Sequence, residues 1–323
     1  MLAKRRMLKL NDQEIVRTPL LVPSFSSKGF PDVNKIVQYC SELIDGVMLV
    51  SAYDIHYKKL QPPFDFPSLI FLDSGGYEAS KDAELSDFGD KEHIPKQWSE
   101  AMHATQLAKW QPNVPSVLIS YDHPKERLPI KAQIERAKAM APGREGLLRE
   151  ILLKPETSTQ TLLQMRDIIK NVRALAEFDV IGVTEKELGK SVIDRMKNIA
   201  ELRRALDKVA VETPIHVFGS LDTVTTPMYF LAGADIFDGL TWLRFAFHEG
   251  QTLYKQNYGA LKYGVSTKSD VLNVQCMNGN YYYMKEMELE MRRFLNGNDF
   301  SVFKYHRELF QTALQSAVEA IGA

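Results

Sequence analysis

Eight short apolar runs, each ending near a small or polar residue, set the narrowest limit on what this chain can become. They are Pro19 to Pro23, Gly46 to Ser51, Leu69 to Asp73, Ser116 to Tyr121, Glu150 to Leu153, Phe178 to Val183, Pro214 to Gly219 and Ala234 to Asp238. Stretches with helical spacing follow most of them, and that alternation argues for parallel strands joined by crossover helices. Eight is the number that closes a (β/α)8 TIM barrel. A chain of 323 residues, 45% of them hydrophobic, can bury a core of that size. The expected fold class is therefore α/β, a (β/α)8 barrel with an appended helical segment after the eighth strand.

The intervening segments predict helices over Asp32 to Leu43, Lys131 to Met140, Ser158 to Ala176 and Lys190 to Val209. Two segments break the rhythm. Residues Glu78 to Glu92 carry mixed charge after the third strand and read as a surface insertion or lid, bounded at about 78–95. The segment from Phe245 onward is too long for a barrel connection. In it Asn280 to Leu295 predicts a Tyr- and Met-rich helix, and Ser301 is placed to cap a last helix reaching about Ile321. The expected division is a barrel domain over 1–244 and an appended segment with C-terminal helices over 245–323, the barrel-closing helix included.

No apolar run is long enough to span a bilayer, and the basic start lacks the apolar segment of a secretion signal. A soluble cytoplasmic protein with no membrane partner is expected. The two cysteines, Cys40 and Cys276, stand far apart and give no disulfide framework. A net charge of −1 gives no general nucleic-acid signature, so any such surface is a local patch.

Barrel enzymes keep their chemistry at the C-terminal ends of the strands. Those ends here carry Ser24, Ser51, Asp73, Asp122, Lys154, Gly182, Phe218 with Gly219, and Asp238. Each has a plainer explanation when taken singly. Asp238 can cap the next turn, Asp122 can turn the chain before Pro124, Lys154 can be a solvated rim lysine, and His123 and His216 read as structural histidines. Three carboxylates among eight strand ends nevertheless exceed what packing needs. Ser74, Gly75 and Gly76 after Asp73 allow close backbone approach to a planar ring or a phosphate.

With Arg17 to Pro23, Leu72-Asp73-Ser74-Gly75-Gly76-Tyr77, Ser120-Tyr121-Asp122, Ile181-Gly182-Val183, His216-Val217-Phe218-Gly219, and Asp235-Ile236-Phe237-Asp238 followed by Arg244, the chain resembles the tRNA-guanine transglycosylase superfamily. The resemblance runs through most of the barrel. It implies a base exchange at a guanosine in a polynucleotide, with Asp238 as nucleophile on the sugar C1′ and Asp73 as general acid or base. It further implies that Asp122 accepts from the purine N1 and exocyclic amino hydrogens and that Gly182 meets the base edge. Tyr77 and Phe218 would sandwich the ring, with Ser74, Gly75 and Gly219 as neighbouring substrate contacts. A 7-deazaguanine is the implied incoming base, and the target base has to leave its stack to be reached.

The departures redirect the expectation. The queuine- and archaeosine-type tRNA enzymes hold zinc with three cysteines and a histidine after the eighth strand; here Cys276 and His306 alone stand in that region, so no zinc and no cofactor are expected. Lys154 stands where the family usually has Gln facing the purine oxygen. Phe247 follows Arg244 where the family has a second, base-reading arginine. These changes resemble the branch that inserts 7-deazaguanines into DNA, so DNA is favoured as the polynucleotide partner, with tRNA as the alternative. Arg244, Arg292, Arg293, Lys304 and Arg307 are candidate nucleic-acid contacts, with a solvated helix face as the competing explanation of the last four. A homodimer or a helper protein is compatible with the long tail. Two other functions stay open: a Schiff-base lyase or aldolase using Lys154, and a non-catalytic nucleic-acid-binding subunit.

Overall fold

The computed structural model describes residues 1–81, 93–111, 113–122, 126–140 and 146–322. It opens with a hairpin of β1 (Met7–Leu10) and β2 (Gln13–Arg17). Eight strands then close a barrel: β3 (Leu20–Phe25), β4 (Val47–Ser51), β5 (Leu69–Asp73), β6 (Ser116–Ile119), β7 (Leu147–Leu153), β8 (Val180–Thr184), β9 (Ile215–Phe218) and β10 (Ile236–Gly239). Every neighbouring pair is parallel, and β10 returns to β3 with Ile236 opposite Leu20 and Asp238 opposite Val22. The expected (β/α)8 barrel is present.

Strands buried on both faces need apolar side chains at both parities, which is why these runs show no polar alternation. One parity packs inside the barrel: Leu20, Val22, Leu49, Leu69, Phe71, Val117, Ile119, Leu152, Val180 and Ile236 form a cluster of their own. Leu8 joins it from the hairpin, with Leu10, Ile15 and Val16 against it, so the hairpin plugs the mouth where the strands begin. The other parity, including Leu21, Met48, Ile70, Leu118, Ile151, Ile181, Val217 and Phe237, meets the helices in the larger core.

That mouth is also held by charge. Asp235, just before β10, receives Arg6 Nη1 at 2.8 Å and Arg203 Nη2 at 2.6 Å, and its Oδ2 accepts from the Ile215 N–H at 2.8 Å. Arg203 also donates to the carbonyls of Gly233 and Thr213. The N-terminal segment, the helix Val192–Lys208 and two strands thus meet at one buried carboxylate.

Several local expectations change. The predicted helix Ser158 to Ala176 is confined to Met165–Lys170 and Val172–Leu175. Asn171 breaks it by donating its side-chain amide to the Asp167 carbonyl, a local bond that competes with the helix ladder. The Tyr- and Met-rich helix begins earlier than expected and spans Ser269–Gly297. Ser301 caps nothing: it lies in a 3-10 turn, Phe300–Val302, headed by Asp299, and the last helix, Arg307–Ala320, follows His306 in a left-handed conformation. A second hairpin, β11 (Phe245–His248) with β12 (Gln251–Tyr254), leaves the barrel after β10. Among the described residues no helix is long and apolar enough to cross a membrane.

Candidate active site

Side chains of the inward parity that run past the top of the barrel packing have only the cavity above to enter. Two residues beyond Phe71 is Asp73, beyond Val22 is Ser24, beyond Leu152 is Lys154, and beyond Ile236 is Asp238. All four, with Ser74, Gly76, Tyr77, Glu78, Asp122, Thr184, Glu187, Phe218, Gly219 and Arg244, line one cavity of about 330 Å³. Asp73 and Asp238, from distant parts of the sequence, therefore share a site. The volume is that of a small-ligand pocket, enough for one extruded nucleoside and too small for a stacked duplex.

Asp238 is aimed by two donors: the Ser24 hydroxyl reaches Oδ2 at 2.7 Å and the Gly219 N–H reaches Oδ1 at 3.0 Å. His216 Nε2 lies 3.3 Å from Oδ1, and its Nδ1 lies 2.9 Å from Glu150 Oε1. His216 is thus held between two buried carboxylates. The structural role expected for it from sequence omitted its contact with Asp238, and neither Glu150 nor His216 carries a local motif that would reveal the pairing. His123 lies outside the described residues.

Asp73 accepts the Gly75 N–H at 3.3 Å. Burial, reinforced by the charges of Glu78, Asp122 and Asp238, pushes its carboxyl well above the usual range and so favours the protonated form. Glu78, expected on a surface insertion, is instead buried behind it and accepts from Ser26 Oγ at 2.5 Å and Ser51 Oγ at 2.8 Å. It belongs to the short helix Gly76–Ala79; residues 82–92 of the expected lid lie outside the described ones. Burial and the neighbouring Asp54 raise Glu78 to about 7, and burial raises Asp54 to about 6.

Acids raised in the folded state favour folding while protonated and oppose it once charged. Their contribution to stability should be fully present below the ordinary carboxylate range and be lost as pH climbs through 6 and 7. The cost of ionising Glu78 is on the order of 3 kcal/mol. Urea unfolding at pH 5 and pH 8 should show the loss, and Glu78→Gln should reduce it; a variant with an unchanged pH slope would place the titration elsewhere.

Asp122 and Lys154 form the opposite wall. Lys154 Nζ lies 3.4 Å from Asp122, 3.3 Å from Glu187 and 2.8 Å from Thr184 Oγ1. Burial alone would raise Asp122, but Lys154, the Ser74 hydroxyl and Arg127 outweigh it and hold the carboxyl low. Burial alone would lower Lys154, but Asp122 and Glu187 outweigh it and keep the ammonium charged. Ser74 also ties this wall to the indole of Trp98, which donates to its carbonyl at 2.8 Å. Gly75 has a φ of 86°, and a Cβ there would lie 2.6 Å from Tyr53 Cβ, so glycine is required by both conformation and space.

Tyr77 and Phe218 both line the cavity. The Tyr77 ring carries Lys28 Nζ 4.3 Å from its centre and its hydroxyl accepts from Arg244 at 2.8 Å, while Phe218 stacks on His216 at 3.9 Å. Gly75 and Gly182 are set back from the cavity lining. Gly182, expected at a base edge, has another use: a Cβ there would come 2.6 Å from Glu150 Oε1 and 2.7 Å from the Phe218 ring, so its bare backbone makes room for both.

Arg244 stands at the cavity, but Arg292, Arg293, Lys304 and Arg307 do not line it. Arg292 pairs with Glu288 at 2.7 Å and reaches the Arg17 carbonyl, which puts it toward the mouth where the strands begin. The long helix carries its C-terminal end away from the site. Cys276 packs with Ala246 and Leu272, His306 Nε2 meets the Gly250 carbonyl at 2.8 Å, and among the described residues no three His, Cys, Asp or Glu side chains gather as a metal site. Phe247 is buried against Tyr283.

Neither the family models nor the curated proteins with which the chain was compared include a match to it.

Proposed function

We propose that the protein is a guanine transglycosylase that exchanges a guanine in a polynucleotide, DNA in preference to tRNA, for a 7-deazaguanine. The observation that carries the proposal is the convergence of Asp238, Asp73 and the Asp122–Lys154 pair on one cavity. Ser24 and the Gly219 N–H hold an Asp238 oxygen pair in place for attack on C1′. As the C1′–N9 bond breaks, its electron pair leaves with guanine, and the proton held by Asp73 is available to the departing base. Asp73 is then ionised and takes the N9 proton of the incoming base as that nitrogen displaces Asp238. Two displacements at one carbon retain its configuration, as in retaining glycoside chemistry.

Asp122, kept ionised by Lys154, is an acceptor for two adjacent N–H groups. Guanine offers such a pair at N1 and N2, and adenine does not. Facing adenine, Asp122 would keep Lys154 and Ser74 but lack that pair of donors, and a buried acceptor short of a partner costs about 1–3 kcal/mol, more when charged. Lys154 donates toward the purine oxygen. Its charged, threefold-held ammonium is poorly suited to Schiff-base formation, which needs a free amine. The preference for DNA rests on Phe247, packed into the core where the resembling tRNA enzymes use a base-reading arginine, and on the unshared positions of Cys276 and His306.

Labelled guanine, offered with matched DNA and tRNA, tests the proposal. Incorporation into DNA and a protein–DNA adduct that survives denaturation are expected. Incorporation into tRNA alone would overturn the choice of polymer, and incorporation into neither would overturn the reaction.

A further inference from the structure

The file of side chains beneath Asp238 has no part in the proposed chemistry so far, and its geometry is unusual for packing. His216 on β9 registers beside Ile236 of β10 and Gly182 of β8. Glu150 reaches it from β7 through the space that Gly182 leaves open. The charged groups facing the imidazole are Glu150 and Asp238; β5 presents the edge of Phe71, β9 the stacked ring of Phe218, and β8 a glycine.

A neutral imidazole has one N–H and one lone pair, so between two carboxylates it would turn a lone pair toward one of them. The cation has an N–H for each. Glu150, shut away from water, and Asp238, at the cavity floor, would also repel without a counter-charge between them. We infer that His216, backed by Glu150, is a buried imidazolium that sets the charge of Asp238 and eases its release from the sugar in the second displacement. This rests on the base-exchange proposal for its chemical role, though not for the state of the imidazole.

The electrostatics agree with the geometry. Burial alone would lower His216, but Glu150 and Asp238 outweigh it and raise it to about 9. The Nε2 contact, at 3.3 Å, is an ion pair without hydrogen-bond alignment. Ser24 and Gly219 therefore aim Asp238, while His216 compensates its charge. When the incoming N9 attacks C1′, the C1′–O bond to Asp238 breaks, its electron pair returns to the carboxylate, and the N9 proton passes to Asp73. Negative charge then reappears beside the imidazolium. Losing one such preorganised partner typically costs about 10²-fold to 10³-fold in rate.

Two measurements on the full-length chain test this. In ¹⁵N-histidine NMR, His216, assigned by its disappearance in His216→Gln, should carry protons on both ring nitrogens at pH 7. In exchange kinetics, His216→Gln should lower kcat about 10²-fold and lower the KM for the polynucleotide with it, as when breakdown of a covalent intermediate becomes limiting. It should also accumulate the covalent adduct, because Asp238 then has to leave the sugar beside Glu150 without a cation. Glu150→Gln, close in volume and less disruptive to folding, weakens the hold on the imidazolium and should accumulate the adduct to a smaller degree. A neutral His216 at pH 7 in a wild-type protein that exchanges guanine overturns this inference alone. So does an unchanged adduct level in both variants. An imidazolium in a protein that exchanges no guanine on DNA or tRNA overturns the base-exchange proposal, and with it the release role, while supporting the assigned charge state.

Discussion

Asp238→Asn should lower guanine exchange by at least about 10⁴-fold, the scale on which a displaced nucleophile is lost. The amide has nearly the same shape, and its oxygen can still accept the Gly219 N–H that Asp238 accepts at 3.0 Å. It cannot form the ester to C1′. Polynucleotide binding should therefore survive, since Asp122, Lys154, Tyr77 and Phe218 remain in the cavity wall. The denaturation-resistant adduct should vanish together with turnover. Exchange that persists in this variant would remove Asp238 from the role of nucleophile.

Asp235→Ala should cost about 3–5 kcal/mol of stability, the scale for breaking a buried ion pair by removing one partner. Arg6 and Arg203 have side chains 0% exposed, and both rely on this carboxylate. Arg6 already has Nε and Nη2 buried without hydrogen-bond partners. Its remaining acidic neighbours, Asp207 and Glu212, stand 3.6 Å away. Removing Asp235 also frees the Ile215 N–H, so the cost combines charge, hydrogen bonding and a small cavity. Denaturant unfolding would measure it. A loss below about 1 kcal/mol would mean that Asp207 and Glu212 take over both guanidiniums, as exposed pairs seldom can.

The barrel was readable because its strands obey a local rule. A strand such as Leu69–Asp73 is apolar at every position until it emerges at the cavity, and its boundary matches the expected one. The site carboxylates were readable for the same reason, since a polar residue at the end of such a run is conspicuous. What escaped depends on contacts far apart in sequence. Glu78 looks like one charge among many in a polar segment, and only Ser26 and Ser51 from other strand ends make it a buried acid. Glu150 sits inside an otherwise apolar strand; its partner His216 is 66 positions away. The helix expected over Ser158 to Ala176 is interrupted at Asn171, whose competing bond propensity ignores, and Ser301 failed as a cap because Asp299 took the turn first. The basic residues Arg292 and Arg293 illustrate a further limit: charge can be counted along the chain, but which mouth of the barrel a helix end reaches is decided by packing.

Asp235 and Asp238 are three positions apart on one stave of the barrel, about 10 Å at strand rise. One points into the arginine anchor at the closed mouth, and the other into the open one. A screen that scored only product formation would rank substitutions at the two together, although one would remove the proposed nucleophile and the other a scaffold contact. Heating separates them, because damage to the anchor should be eased by cooling and a missing nucleophile should not.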